Sequence, residues 1–146
     1  MKRFLIVLLL PIAMNSQNKK NDFNKSSSIK MLKKFIKKEK FNKDDKLFYS
    51  GISSKLLKEK TNELINKSAN DFIEILKTTN YDDIALQNSI KTSLKRFNTI
   101  YLKLDSEDLD RVCYYFEEMM DIINLKSSGG HLNKFRYGFD FQKNKN

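Results

Sequence analysis

The chain of 146 residues has one cysteine, one proline, one histidine, four glycines and no tryptophan. A single cysteine, Cys113, excludes an internal disulfide framework, so stability must come from packed secondary structure. One histidine leaves no partner for a histidine-rich metal site, since zinc takes three or four protein ligands. The apolar run at the N-terminus is too short to span a bilayer comfortably, and no second stretch of membrane length follows it. Arginine is scarce as well: 24 of the 28 basic residues are lysine. Base readout and bidentate phosphate clamping favour arginine, which argues against a nucleic-acid partner despite the net charge of +10.

That charge is unevenly placed. Residues 17–40 hold nine lysines against Asp22 and Glu39, whereas residues 41–146 carry 17 basic and 16 acidic groups. The basicity therefore belongs to the N-terminal part. Before it stands MKRFLIVLLLPIAMNS, with Lys2 and Arg3 ahead of an apolar stretch and small or polar residues at its end. This layout is that of a secretory signal peptide over residues 1–16, with cleavage expected between Ser16 and Gln17. An uncleaved N-terminal anchor is the alternative. Residues 17–27 read as a flexible basic leader, and 28–146 as a single helical domain. Export to the periplasm or beyond is the expectation.

In SSSIKMLKKFIKKEKF, Ile29, Leu32, Phe35 and Ile36 recur at helical spacing, with Ser28 available as N-cap. Lys30, Lys33, Lys34, Lys37 and Lys38 fill the other side as a basic face that could meet an anionic surface or an acidic envelope partner. Residues 41–54 lack a period and read as a loop, whose Phe41, Leu47, Phe48, Tyr49 and Ile52 should pack over the core. A long helix follows Ser54. A third runs near 82–103 with Asn80 as cap, and a fourth starts at Asp105 among acidic residues that suit a helix N-terminus. No segment alternates with period two. The expected fold is all-α, a compact bundle of about four helices with the C-terminal tail packed over one end.

The tail, SSGGHLNKFRYGFDF, is the densest mixture of functional groups. Its glycine pair permits a sharp turn, after which Leu132, Phe135 and Phe139 could plug the bundle, through one short helix ended by Gly138. On that reading Arg136 pairs with Asp140. Alternatively His131, Arg136, Tyr137 and Asp140 line a ligand site beneath the tail. No catalytic constellation and no cofactor or metal motif is present in the sequence, and Cys113 lies on an apolar helix face without a histidine at helical distance.

The run DLDRVCYYFEEMMDIINLKSSGGHLNKFRYGFDF resembles an uncharacterised bacterial family, domain of unknown function 4844. The likeness is strongest over residues 105–141, where the acidic helix start leads to YYFEEMMDI, the double glycine and YGFD. A weaker match runs back to about residue 30. The resemblance implies a small helical domain from bacteria of the Bacteroidetes type, and it transfers no activity and no catalytic residue. Three functions are carried forward. The first is a non-enzymatic exported domain that binds another macromolecule in the cell envelope. The second is a small-ligand or enzymatic domain with its pocket under the tail, and the third an immunity or inhibitor protein.

Overall fold

The computed structural model describes residues 14–138, with side chains from residue 24 onward. Five helices follow in order: α1 (Met14–Lys37), α2 (Lys55–Lys77), α3 (Asp83–Lys95), α4 (Ser106–Ile122) and the short α5 (His131–Tyr137). Among the described residues there is no strand, only an isolated bridge between Asp44 and Tyr49. The first four helices form the expected all-α bundle. α1 packs on α2, α2 on α3, and α4 against both α1 and α2, while α5 lies over α3 and α4. No described helix is long and apolar enough to cross a membrane. Residues 1–13, with most of the expected signal peptide, lie outside the described residues.

The apolar stripes explain the packing. Leu64, Ile65, Phe72, Ile73 and Leu76 of α2 meet Leu86, Ile90 and Leu94 of α3 and Val112, Phe116 and Met119 of α4 in one buried cluster. The caps hold the helix starts. Ser54 Oγ accepts the Leu57 amide at 3.3 Å, and Asp82 Oδ1 accepts that of Ala85 at 2.8 Å. Asp82, not Asn80, therefore caps α3. That helix also ends sooner than its apolar spacing implied, giving way after Lys95 to tight 3-10 turns at Arg96–Thr99 and Tyr101–Lys103. These turns still bury Phe97.

α1 differs more from expectation. It is helical from Met14, so the segment read as a leader, 17–27, continues into the fold as helix. Ser28 sits inside that helix rather than at its cap, and its hydroxyl donates across the bundle to the Ile122 carbonyl at 2.8 Å. Lys25 adds a second anchor, donating to the Thr78 carbonyl at 3.4 Å and lying over the Tyr81 ring at 5.0 Å.

The end of α1 is closed by a residue that charge patterning would leave in water. Lys40 is 2% exposed. Its ammonium donates to the carbonyls of Phe35 at 2.6 Å and Lys38 at 2.9 Å, and to Asn66 Oδ1 at 2.9 Å. The last carbonyls of a helix have no intrahelical donor. Here a lysine from just beyond the terminus supplies one, with the favourable sign for the helix dipole. Burial, then the neighbouring Lys38 ammonium, lowers the Lys40 pKa to about 8, against a partial opposing effect from Glu118.

The loop 41–52 then folds back on itself. Asp44 and Tyr49 exchange backbone hydrogen bonds at 2.8 and 3.0 Å, and the Ile52 amide donates to the Phe41 carbonyl at 3.1 Å. Gly51 makes the closure possible. Its φ is +80°, and a Cβ there would stand 2.8 Å from the Lys43 nitrogen and 3.1 Å from the Phe41 carbonyl oxygen. These are backbone atoms that cannot step aside. Gly51→Ala should therefore cost about 1–2 kcal/mol from the left-handed conformation alone, and more from the clash. Chemical denaturation of the variant checks this. An unchanged unfolding midpoint would mean the loop tolerates rearrangement.

Candidate functional site

The start of α4 performs two tasks with one carboxylate. Asp105 Oδ1 accepts the Asp108 amide at 2.8 Å, and Asp108 Oδ2 accepts the Asp105 amide at 3.2 Å, closing a reciprocal cap. The other oxygen of Asp108 accepts the Tyr49 hydroxyl at 2.7 Å. One turn further along the same face, Arg111 is only 7% exposed. Its guanidinium donates to Asp44 Oδ2 at 3.2 Å and stacks over the rings of Tyr49 at 4.4 Å and Tyr114 at 5.2 Å. Another turn on, the Tyr115 hydroxyl accepts the Phe41 amide at 3.1 Å. Residues 108, 111 and 115 share one helix face by their spacing, and together they clamp the loop to α4.

The electrostatics follow from this clamp. Burial raises the Tyr49 phenol well above its ordinary pKa, and its hydrogen bond to the Asp108 carboxylate adds to the effect. Partial desolvation would raise the Asp44 carboxyl, but the Arg111 hydrogen bond and nearby backbone amides outweigh it and hold the group below the usual carboxylate range. Tyr49 therefore stays a neutral donor and Asp44 an anion at neutral pH. Asp44 is paired with Arg111, and the Asp108 carboxylate is met by the Tyr49 hydroxyl and the Asp105 amide.

What the clamp presents is apolar. Tyr49 points inward while the tip of the hairpin is pushed out, leaving Leu47 half-exposed and Phe48 91% exposed. Phe48 also sits at φ 50°, a left-handed conformation that a bulky residue adopts only under constraint. The loop thus splits its expected apolar set: Phe41, Tyr49 and Ile52 are buried, and Leu47 and Phe48 are not. Beside the tip lies a depression of about 470 Å³, floored by Tyr49, Arg111, Cys113 and Tyr114 and rimmed by Glu107, Asp110, Glu117 and Arg136. A second, of about 450 Å³, lies on the other side of Arg111 and Tyr114, towards Lys38, Lys43 and Asp45.

Little in this site can do covalent chemistry. Burial, helped by Glu117 and Asp110, pushes the Cys113 thiol up to about 12, so almost no thiolate exists at neutral pH. Among the described residues, no group of three His, Cys, Asp or Glu side chains could hold a metal ion. The arrangement offers shape, aromatic surface and a partly acidic rim.

The residues singled out in the sequence are dispersed. Arg136 reaches the rim of the depression, where Nε and Nη2 bond Asp110 at 2.6 and 2.8 Å, and Tyr137 stands beside it, exposed, with its ring 5.6 Å from the guanidinium. The partner that Arg136 has among the described residues is thus Asp110. Asp140 and Phe139 lie outside the described residues. His131, half-buried at the start of α5, lines neither depression. Leu132 and Phe135 are buried at 7% and 2% exposure, with the Phe135 ring edge-on to Phe97 and Tyr101 at 5.6 and 5.4 Å. On the basic face, Lys30, Lys33, Lys34 and Lys37 are exposed, while Lys38 turns aside to pair with Glu118 at 2.8 Å. Arg111 and Phe48, which organise the site, escaped sequence reasoning. An arginine one helical turn before a pair of tyrosines, just inside a helix start, was the available signal.

The family model of a domain of unknown function (DUF4844) matches residues 18–140. The chain belongs to this family. The DUF4844 match begins well before the likeness read from the sequence, in keeping with an α1 that is helical through that region. Among solved structures, the DUF4844 chain is similar to the crystal structure of a DUF3571 family protein from Acinetobacter baumannii AYE. The two are 30% identical, with a TM-score of 0.74, and the similarity covers 83% of this chain and 97% of the other. No curated protein matches. DUF4844 membership spans residues 18–140 and assigns no activity.

Proposed function

We propose that this chain is a non-enzymatic, exported helical domain that binds another macromolecule in the cell envelope, and that the aromatic depression beside Phe48 is where it binds. Phe48 is the observation that supports the reading most. A phenylalanine held almost wholly in water, in a backbone conformation it disfavours, lowers the stability of a free domain on both counts. Such a residue makes physical sense where a partner covers it, and aromatic side chains with arginine are the usual anchors of protein interfaces. Export rests on the layout of the first 16 residues.

The test separates folding from binding. Asparagine tolerates the left-handed conformation better than phenylalanine. Phe48→Asn should thus keep the melting temperature or raise it, by up to about 1 kcal/mol of stability. A photo-crosslinker placed at Phe48 in the native envelope should capture a discrete partner. The same group at Leu102, which is as exposed but lies outside the depression, should not. Capture at both positions alike, or a Phe48→Asn variant that competes as well as the parent, would remove the site. Turnover of a small molecule abolished by an Arg136 or His131 substitution would remove the non-enzymatic reading altogether.

A further inference from the structure

The outer face of α1 carries four lysines whose charge no neighbouring carboxylate offsets. Lys30, Lys33, Lys34 and Lys37 fall within roughly one-third of the helix circumference, and all four are exposed. None is in an ion pair, whereas Lys38, Lys43, Lys55, Lys60 and Lys77 each have a carboxylate within reach. Residues 24–38 contain no acidic side chain at all. The face is also fixed. Leu32 and Phe35 on the opposite side are locked in the core, and Ser28 is tied to the Ile122 carbonyl, so the helix cannot turn its lysines away.

We propose that this face lies against an anionic lipid surface. Three observations choose lipid over the other polyanions. No arginine stands among the lysines, and among the described side chains no aromatic ring of α1 is exposed with them to stack on a base, which disfavours a nucleic acid. Lysine is depleted from protein interfaces, where arginine and aromatic anchors dominate. A mobile layer of headgroups, by contrast, asks for no fixed geometry, and the hydrated ammonium of lysine suits it as a diffuse point charge. Met31, half-exposed at the flank of the face, adds one apolar group that can dip between headgroups. The inference does not depend on the aromatic depression, which is built from α4 and the loop 41–52.

The chain beginning at Gln17 keeps the whole family match and lacks the apolar N-terminal stretch, which would bind any bilayer. It should co-sediment with vesicles of phosphatidylcholine mixed with phosphatidylglycerol about tenfold or more better than with phosphatidylcholine alone. Raising the salt should release it, because exposed charges are screened. Lys→Gln at positions 30, 33, 34 and 37 together should lower binding by about tenfold or more, with helical content and melting unchanged. Lys→Gln at 91, 95, 103 and 126, all exposed and elsewhere, removes the same net charge and should leave most of the binding. Equal binding to neutral vesicles overturns the proposal. So does an equal loss in both quadruple variants, or tighter binding to duplex DNA or polyglutamate than to the anionic vesicles.

Discussion

A chain truncated after Lys126 is expected to melt at least about 20 °C lower, or to fail to fold. The tail is short, yet it contributes Leu132 and Phe135, both buried, to the space between α3 and α4. Removing a buried side chain of this size costs roughly 3 kcal/mol each. Small domains have only about 5–15 kcal/mol in all, and each kcal/mol moves the melting temperature by several degrees. Hydrogen bonds go as well: the Tyr101 hydroxyl loses the Phe135 carbonyl at 2.8 Å, and Gln87 loses the Ser127 carbonyl at 3.1 Å. Phe135→Ala isolates the ring alone and should cost about 3–5 kcal/mol. His131→Ala should cost under about 1 kcal/mol, since a half-buried residue leaves no large cavity. Differential scanning calorimetry of the three variants measures the order. An unchanged melting temperature on truncation would make the tail an appendage, with the core closed by something else.

Lys40→Met should be the next most damaging change, by about 1–3 kcal/mol at pH 7. Methionine keeps the apolar stem and fills similar space, so the loss reports the ammonium and the helix carbonyls it leaves without a donor. Its dependence on pH identifies the cause. The folded pKa, about 8, lies below the ordinary lysine value of 10.5. Between these limits the unfolded chain holds a proton that the folded chain has shed, so unfolding takes protons up and stability rises with pH. The contribution is complete above the unfolded pKa and is lost as pH falls through about 8. Stability of the parent relative to Lys40→Met should therefore grow from pH 8 to 10. Taking the difference cancels the opposite trend from Cys113, whose raised folded pKa removes stability as pH climbs from 9 towards 12. A flat difference across that window would mean the carbonyl dipoles restore the ammonium fully.

The parts of this molecule that local chemistry governs were legible. The Asp105 cap, the α2 stripe, the tail helix and its stop at Gly138 all follow from neighbours in sequence, and the structure has them. The residues that were misread are governed from far away. Ser28 has the credentials of a cap, but its hydroxyl is used by Ile122, 94 positions on. Arg136 takes a partner that sequence spacing did not name, Asp110 on the neighbouring helix. Lys40 was not singled out, since lysine is rarely buried, and the meeting of the α1 terminus with Asn66 makes a place for it. Phe48 was expected over the core because apolar residues normally go there. Nothing local announces that Tyr49 takes the inward position and turns its neighbour outward.

The clamp on the loop has a consequence for the order in which the chain is made. Phe41 and Tyr115 are joined across 74 residues, and Tyr49 and Asp108 across 59. Synthesis runs from the N-terminus, so residues 41–52 emerge long before the helix that fixes them. Until α4 exists, Arg111 is absent, Asp44 has no counter-ion from it, and nothing forces Phe48 out of a local apolar cluster. The surface around Phe48 is thus a property of the finished domain alone. A nascent chain or an early fragment cannot display it, and any partner that reads it reads completion as well.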